Sequence, residues 1–324
     1  MKKEKVLIIG GTGALGSTLA KRYYQHNDIM IVSRNEHKQE SMRRNPDFKV
    51  DSKKWDRILY RLGDVKDKQS IVRCLYEFHP TIVINTAAVK TVWVCQENSY
   101  ESVQTNIIGH QNLIDAIQEC THKIKTLVFI STDKACKPVN VYGMSKAIAE
   151  QLYVNFAKQQ KDIKVVMARY GNVLNSTGSI IPLFKKKIMS GCESLPITNH
   201  SMTRFLITLE QAIDLIEWAY NHPDSHGKIA IPKIEALRIV DLAQAIARAC
   251  GKLKMPTHKI PVRDGEKLHE EMISEIEFQR TLEYEGYYLI DYVKHNDDFK
   301  KPFNSQYHVA DDVEEFLNKN IKRS

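Results

Sequence analysis

Short apolar runs rich in β-branched residues recur through the first half of the chain, at 6–9, 29–32, 58–62, 82–84, 127–130 and 165–168. The runs are continuous and do not alternate with polar residues, which suits parallel strands buried on both faces. Stretches of helical spacing separate them, and strand followed by helix, repeated, predicts a doubly wound parallel α/β sheet with right-handed crossovers. After residue 170 the rhythm breaks. Residues 172–206 and 255–270 mix Pro, Gly, Thr and charge, whereas 208–220 and 237–250 read as helices. Val313, Phe316, Leu317 and Ile321 mark one face of a last helix, with Asp311 or Asp312 placed to cap it. The stretch 284–307 is aromatic and charged, and no period assigns it.

A chain of 324 residues can bury one large core with an appendage. Hydrophobic residues at 43% and charged residues at 27% describe a folded soluble protein, not a disordered or fibrous one. No run approaches the roughly 18 apolar residues of a membrane span. The first run stops at Gly10 and Gly11, so neither a leader nor a membrane partner is expected. Six cysteines (Cys74, Cys95, Cys120, Cys136, Cys192, Cys250) form no CxxC pair. That argues against a metal site or a disulfide framework and favours a reducing cytoplasm. The net charge of +8 is spread along the chain, with no basic tract interleaved with aromatics. Nucleic acid is therefore disfavoured, and a small polyanion such as a nucleotide fits the excess.

The first strand runs into Gly10, Gly11, Thr12, Gly13, Ala14, Leu15 and Gly16, with a helix predicted to begin near Ser17. Side chains in such a turn would block it or hold the helix off the strand, and the helix N-terminus offers free N–H groups to a diphosphate. The junction predicts a Rossmann-like dinucleotide site. An acidic residue usually follows the second strand of such a fold to bind the ribose 2′-hydroxyl; here stand Ser33, Arg34 and Asn35. An arginine fork pairs with a 2′-phosphate, which favours NADP over NAD, while Glu36 keeps NAD open. Asp64 is placed to meet the adenine edge, and Ala87 and Ala88 let backbone approach the cofactor; Val65 and Val173 complete the candidates. The predicted division is an NADP-binding domain over 1–171, to which 200–235 return, and a smaller discontinuous substrate lobe from 172–199 and 236–324.

After the run at 127–130 come Ser131, Thr132, Asp133 and Lys134, then Tyr142, Gly143, Met144, Ser145 and Lys146 opening a helix. A tyrosine and a lysine four apart share a helix face, so the ammonium can sit beside the phenol. Bringing a phenol from about 10 to about 7 takes about 4 kcal/mol, which the lysine and a positively charged nicotinamide can supply. Tyr142 then accepts a hydroxyl proton as hydride leaves carbon, and Thr132 orients the same oxygen.

Together these motifs resemble the extended short-chain dehydrogenase/reductase family over most of the chain. Within it, residues 131–146 (STDKACKPVNVYGMSK) look like the signature of the inverting UDP-N-acetylglucosamine 4,6-dehydratases. RYGNV at 169–173, GSIIPLF at 178–184, PITNHSMTRF at 196–205 and RDGEKLHE at 263–270 look like that group's nucleotide-sugar segments. The resemblance implies a hydro-lyase of nucleotide-sugar biosynthesis for glycans. Tyr142 would be the base for oxidation at C4, and the new ketone makes the C5 proton acidic. Lys134 would remove that proton, Asp133 would help the C6 hydroxyl leave as water, and hydride would return to C6. Reprotonation from the opposite face inverts C5. A basic Lys134 must be partly neutral, and an acidic Asp133 must have a raised pKa.

The same resemblance implies Arg204 and Arg263 for the diphosphate, Glu266 for the uridine ribose, and Lys90, Asn172, Ser179 and Thr198 as sugar or nucleotide contacts. It also implies a homo-oligomer. The chain departs from the group at Thr91, Thr177 and Asp264, where histidine, arginine and proline are usual. The exact sugar therefore stays open. Another NDP-hexose 4,6-dehydratase fits the same motifs, as does a UDP-sugar 4-epimerase, which reduces the ketone without losing water. A regulatory protein that binds NADP without chemistry would be expected to lack Tyr142, Lys146 or Thr132.

Overall fold

The six apolar runs form strands β1 (Lys5–Ile9), β2 (Asp28–Ser33), β3 (Ile58–Leu62), β4 (Ile82–Asn85), β5 (Thr126–Ile130) and β6 (Lys164–Ala168). This computed structural model describes residues 3–45, 58–174, 179–292 and 302–320, so the expectations resting on Thr177, Gly178 and Ile321 lie outside the described residues. Every residue of β5 and all but the first of β2 are buried, as strands covered on both faces require. The six pair in parallel in the order β3–β2–β1–β4–β5–β6. Strand order reverses between β1 and β4, which opens a crevice at their carboxyl ends. Helices pack on both faces around two core clusters, one holding Leu7, Phe129 and Tyr153, the other Ile8, Leu19 and Ile213.

Beyond β6 the sheet grows to nine strands. Ile229–Pro232 pairs parallel to β6, and the hairpin of Thr281–Tyr284 and Tyr287–Ile290 closes that edge antiparallel. The hairpin corrects one expectation: residues 281–290, given to the second lobe by the sequence, belong to the large sheet. Leu289 and Ile290 join its two cores, which a hairpin left in a separate lobe could not do.

A third core cluster, with Phe184, Leu195, Ile197, Leu242, Ile246 and Phe316, gathers residues from the remaining pieces. Its helix Ile180–Met189 and strand Leu195–Ile197 were hidden by the mixed composition of 172–206. The expected helices appear as Leu209–Asn221, opened by a Thr208–Gln211 capping box, and Ile239–Ala249. Asp312 caps Val313–Asn320, its Oδ1 accepting from the Glu314 and Glu315 amides at 2.8 and 3.0 Å. Among the described residues no helix is long and apolar enough to cross a membrane.

Candidate active site

The strand ends and the segments after them enclose a groove of about 600 Å³. At one end lies the glycine turn. The helix after it spans Ala14–Tyr23, three residues earlier than the sequence suggested, because its bonding already starts at Gly13, whose carbonyl accepts from the Ser17 amide at 2.8 Å. Gly13 offers no side-chain cap, so the first amides are left for an anion. Gly10 has φ +78°, and a Cβ there would lie 2.7 Å from the Ala87 nitrogen; one on Gly16 would lie 2.6 Å from the Gly11 Cα. The cradle therefore fits a dinucleotide diphosphate, and a side chain would fill it. Thr12, Ala14, Leu15, Ser33, Arg34, Asn35, Asp64, Val65, Ala87, Ala88 and Val173 line the same groove.

Two of those residues also carry structural work. The Asn35 side chain caps the helix Glu36–Arg44 by accepting from the Lys38 amide at 2.8 Å, and Ser33 Oγ accepts from Gln39 Nε2 at 3.0 Å. Arg34 is exposed, with Nη1 3.6 Å from Glu101 Oε1 and 3.9 Å from Asp64 Oδ2. Its fork thus stays at the groove wall, reachable by a ligand.

At the other end, β5 leads through Ser131 into a short turn. Thr132 Oγ1 accepts from the Lys134 amide at 3.5 Å and donates to Asp133 Oδ1 at 3.0 Å. Asp133 is fully buried behind the groove wall, and its Oδ2 has no hydrogen-bond partner among the described residues. Lys134 does line the groove. Its Nζ lies 3.1 Å from Asp133 Oδ1, 3.0 Å from Asn172 Oδ1 and 3.5 Å from Glu270 Oε1. Burial by itself would lower the ammonium, but Asp133 and then Glu270 outweigh it, and the pKa is raised.

Tyr142 sits in the first turn of Val141–Gln159, which Asn140 caps by accepting from the Gly143 amide at 2.8 Å. A Cβ on Gly143 would collide with the Lys134 carbonyl, so glycine is what lets this helix reach the Lys134 turn. Burial pushes the Tyr142 phenol up to about 12, opposed by Lys134 and by a hydrogen bond with Thr132. Here the structure departs from the helix-spacing argument. The cation acting most strongly on the phenol is Lys134, because Lys146 lies with Nζ 4.3 Å from the centre of the Phe129 ring. Burial pulls Lys146 down to about 7, with Glu150 opposing. Spacing put the two residues on one face; packing chose where the ammonium went.

On the third side, Arg204 also lines the groove but gives three hydrogen bonds to backbone carbonyls. Nη1 donates to the Thr203 and Leu268 carbonyls at 2.7 and 3.2 Å, and Nη2 to the Lys267 carbonyl at 2.8 Å. It braces the 263–270 segment, whereas Arg263 is exposed on the groove wall with Glu266. Lys90, Asn172 and Ser179 also line the groove, and the buried Ser179 hydroxyl has no partner among the described residues. Thr198 does not line it: its Oγ1 lies 3.5 Å from Met202 Sδ in the third core. The sequence passed over Glu270, buried yet on the groove wall, though its own motif RDGEKLHE places it four residues past Glu266. It also missed Lys38, which together with burial lowers Lys90. Two departures sit at the mouth: Thr91, and Asp264, whose Oδ2 accepts from Gln96 Nε2 at 3.1 Å.

The class follows from where the two ends meet. The diphosphate cradle and the tyrosine face one groove at the switch point of a doubly wound sheet, as in the Rossmann-fold short-chain dehydrogenases/reductases. Residues 6–292 match the family described as polysaccharide biosynthesis protein, and the chain belongs to that family. The UDP-N-acetylglucosamine 4,6-dehydratase (inverting) of Campylobacter jejuni subsp. jejuni serotype O:2 is 41% identical over 295 residues, covering 89% of this chain and 83% of the relative. A UDP-glucose 4-epimerase of Rickettsia prowazekii is 35% identical over 295 residues, covering 89% and 82%. The crystal structure of Pen from Bacillus thuringiensis superposes with a TM-score of 0.87 at 29% identity, covering 98% of this chain and 97% of that one.

Proposed function

We propose that the protein is a 5-inverting UDP-N-acetylglucosamine 4,6-dehydratase that uses NADP. One observation carries the reading: Lys134 Nζ, on the wall of the groove that Tyr142 also lines, hydrogen-bonds Asp133 Oδ1 at 3.1 Å. Elimination across C5 and C6 needs a second base and an acid beyond Tyr142; epimerisation at C4 needs no such pair. The Campylobacter relative's activity agrees.

The cradle at Gly10–Gly16 would hold the cofactor diphosphate, and Arg34 a 2′-phosphate. When bound, the nicotinamide supplies a hydride acceptor for C4 and a donor for C6, and in its oxidised form a positive charge that favours the Tyr142 phenolate. Tyr142 takes the proton of the C4 hydroxyl, and Thr132, hydrogen-bonded with it, orients that oxygen. Lys134 and Asp133 share one hydrogen bond, so moving its proton from Nζ to Oδ1 prepares a neutral amine and a carboxylic acid in one step. The amine takes the C5 proton, and the acid, which meets the groove through its hydrogen bond with Thr132 Oγ1, supplies the proton for the departing C6 hydroxyl. We assign the cofactor to the large sheet and the nucleotide sugar to the pieces around the third core, with Arg263 and Glu266 at the mouth. The free cysteines fit a cytoplasmic enzyme.

Incubation with UDP-N-acetylglucosamine and no added oxidant is expected to give a product lighter by one water. In deuterated water it should carry one deuterium at C5, in inverted configuration by NMR. Unchanged mass with C4 inverted identifies an epimerase, the reading that the Rickettsia relative favours. Unchanged substrate with cofactor bound identifies a regulatory protein. Fluorescence titration should show NADPH binding tighter than NADH, and Arg34→Glu should reverse the order; equal affinities would remove Arg34 from the site.

A further inference from the structure

We propose that Glu270 is a positioning residue of this reaction: its carboxylate holds the Lys134 side chain in the groove and governs when that lysine gives up its proton. The inference rests on the reading of Lys134 as the C5 base. Glu270 is 2% exposed, yet it lines the groove. Its Oε1 lies 3.5 Å from Lys134 Nζ and 3.9 Å from Arg204 Nε. Its Oε2 is buried with no hydrogen-bond partner among the described residues, and Lys267 Nζ lies 3.8 Å from it. A carboxylate left with one oxygen unbonded in a closed site is costly to bury, so something must compensate it. The compensation is charge: Lys134, Arg204 and Lys267 all face it.

From the lysine's side, the titratable groups come from four elements. Asp133 belongs to its own turn, Glu270 to the segment after Arg263, Arg204 to the strand Thr203–Ile207, and Tyr142 to the helix Val141–Gln159. Asn172 adds a neutral acceptor at 3.0 Å. Two carboxylates therefore flank one ammonium, and they have different tasks. Asp133 shares the proton that must move, so its bond with Lys134 changes during the reaction. Glu270 has no assigned proton to exchange; its charge stays and opposes deprotonation until the sugar is in place. This keeps the lysine from becoming neutral, and reactive, before its substrate arrives.

Competitive acetylation of the full chain loaded with NADP, followed by peptide mass spectrometry across pH, reads the titration midpoint of Lys134 without any sugar. In the parent protein that midpoint should lie above the ordinary lysine value of about 10.4. Removing an opposite charge at this distance should lower it by about one to three pH units in Glu270→Gln. Glu270→Asp, which keeps the charge and withdraws it by one methylene, should fall between the two and also covers the case in which the glutamine variant does not fold. A parent midpoint at or below the ordinary value, or a midpoint that ignores both replacements, overturns the proposal. The high-pH limb of water release, where the proton shared by Lys134 and Asp133 is lost, should shift downward with the midpoint. Absent water release with the midpoint shift intact removes the dehydratase reading alone; normal release without the shift removes the role of Glu270 alone.

Discussion

Lys146 is the residue whose chemistry burial changes most usefully. Its amine lies over the Phe129 ring with Glu150 as the one opposing charge, and it titrates at about 7. In the unfolded chain a lysine titrates at about 10.4, so between these values the unfolded state binds a proton that the folded state has released. The penalty for burying this ammonium is complete below about pH 7 and fades as pH rises toward about 10. Lys146→Met should therefore raise the melting temperature of the cofactor-free protein at pH 7 by more than it does near pH 10. A gain independent of pH would mean that the amine is not desolvated. The sequence made Lys146 a candidate through its spacing from Tyr142, and that spacing is real. Its distance from the phenol, and the stronger influence of Lys134 there, depended on which way a long side chain turned.

At the scale of elements, the contact that matters joins the turn at Asp133–Ala135 to the helix Val141–Gln159. Gly143 makes it, since any Cβ there would meet the Lys134 carbonyl. Gly143→Ala should push the turn and helix apart, misplacing Tyr142 against Lys134. A displacement of about 1 Å at a reacting group costs on the order of 10²-fold in rate, so kcat should fall by about that factor. NADPH fluorescence should change little, because the Gly10–Gly16 cradle is a separate element. A variant with normal kcat would show that the turn can yield without cost. The strands were legible within about a residue because continuous apolar runs admit few alternatives. The helix Ile180–Met189 was not: Pro182 and three consecutive lysines masked a face that Ile181, Phe184 and Ile188 bury.

For the whole molecule, Arg169 ties distant segments of the chain together from a fully buried position just past β6. Its Nε and Nη2 donate to Glu150 at 2.9 and 2.7 Å, Nη2 also to Glu277 at 2.8 Å, and Nη1 to the Met272 carbonyl at 2.6 Å. Ser131 Oγ donates to the same Glu150 at 2.6 Å, and Cys136 Sγ to Glu277 at 3.3 Å, so the cluster grips both ends of the turn at Asp133–Ala135. Burial opposes ionisation of Glu277, but Arg169 wins and holds it at about 2. Arg169→Met leaves two buried carboxylates uncompensated and should cost about 3–5 kcal/mol in urea unfolding. Replacing Glu150 and Glu277 by leucine in the same chain should recover most of that loss; a mild single variant would show that water reaches the cluster. By itself the sequence determined the parallel sheet, the glycine cradle and the spacing of Tyr142 from Lys146, because each is a local pattern in which strand burial, turn geometry or helix spacing leaves little choice. Tertiary structure alone decided that Glu270 would stand against Lys134, that Arg204 would brace a loop, that the hairpin at 281–290 would finish the large sheet, and that Arg169 would find Glu277 108 residues away. Such pairings between distant segments depend on how desolvated charges and side-chain volumes fit once the backbone is in place, and one-dimensional spacing carries no record of that fit.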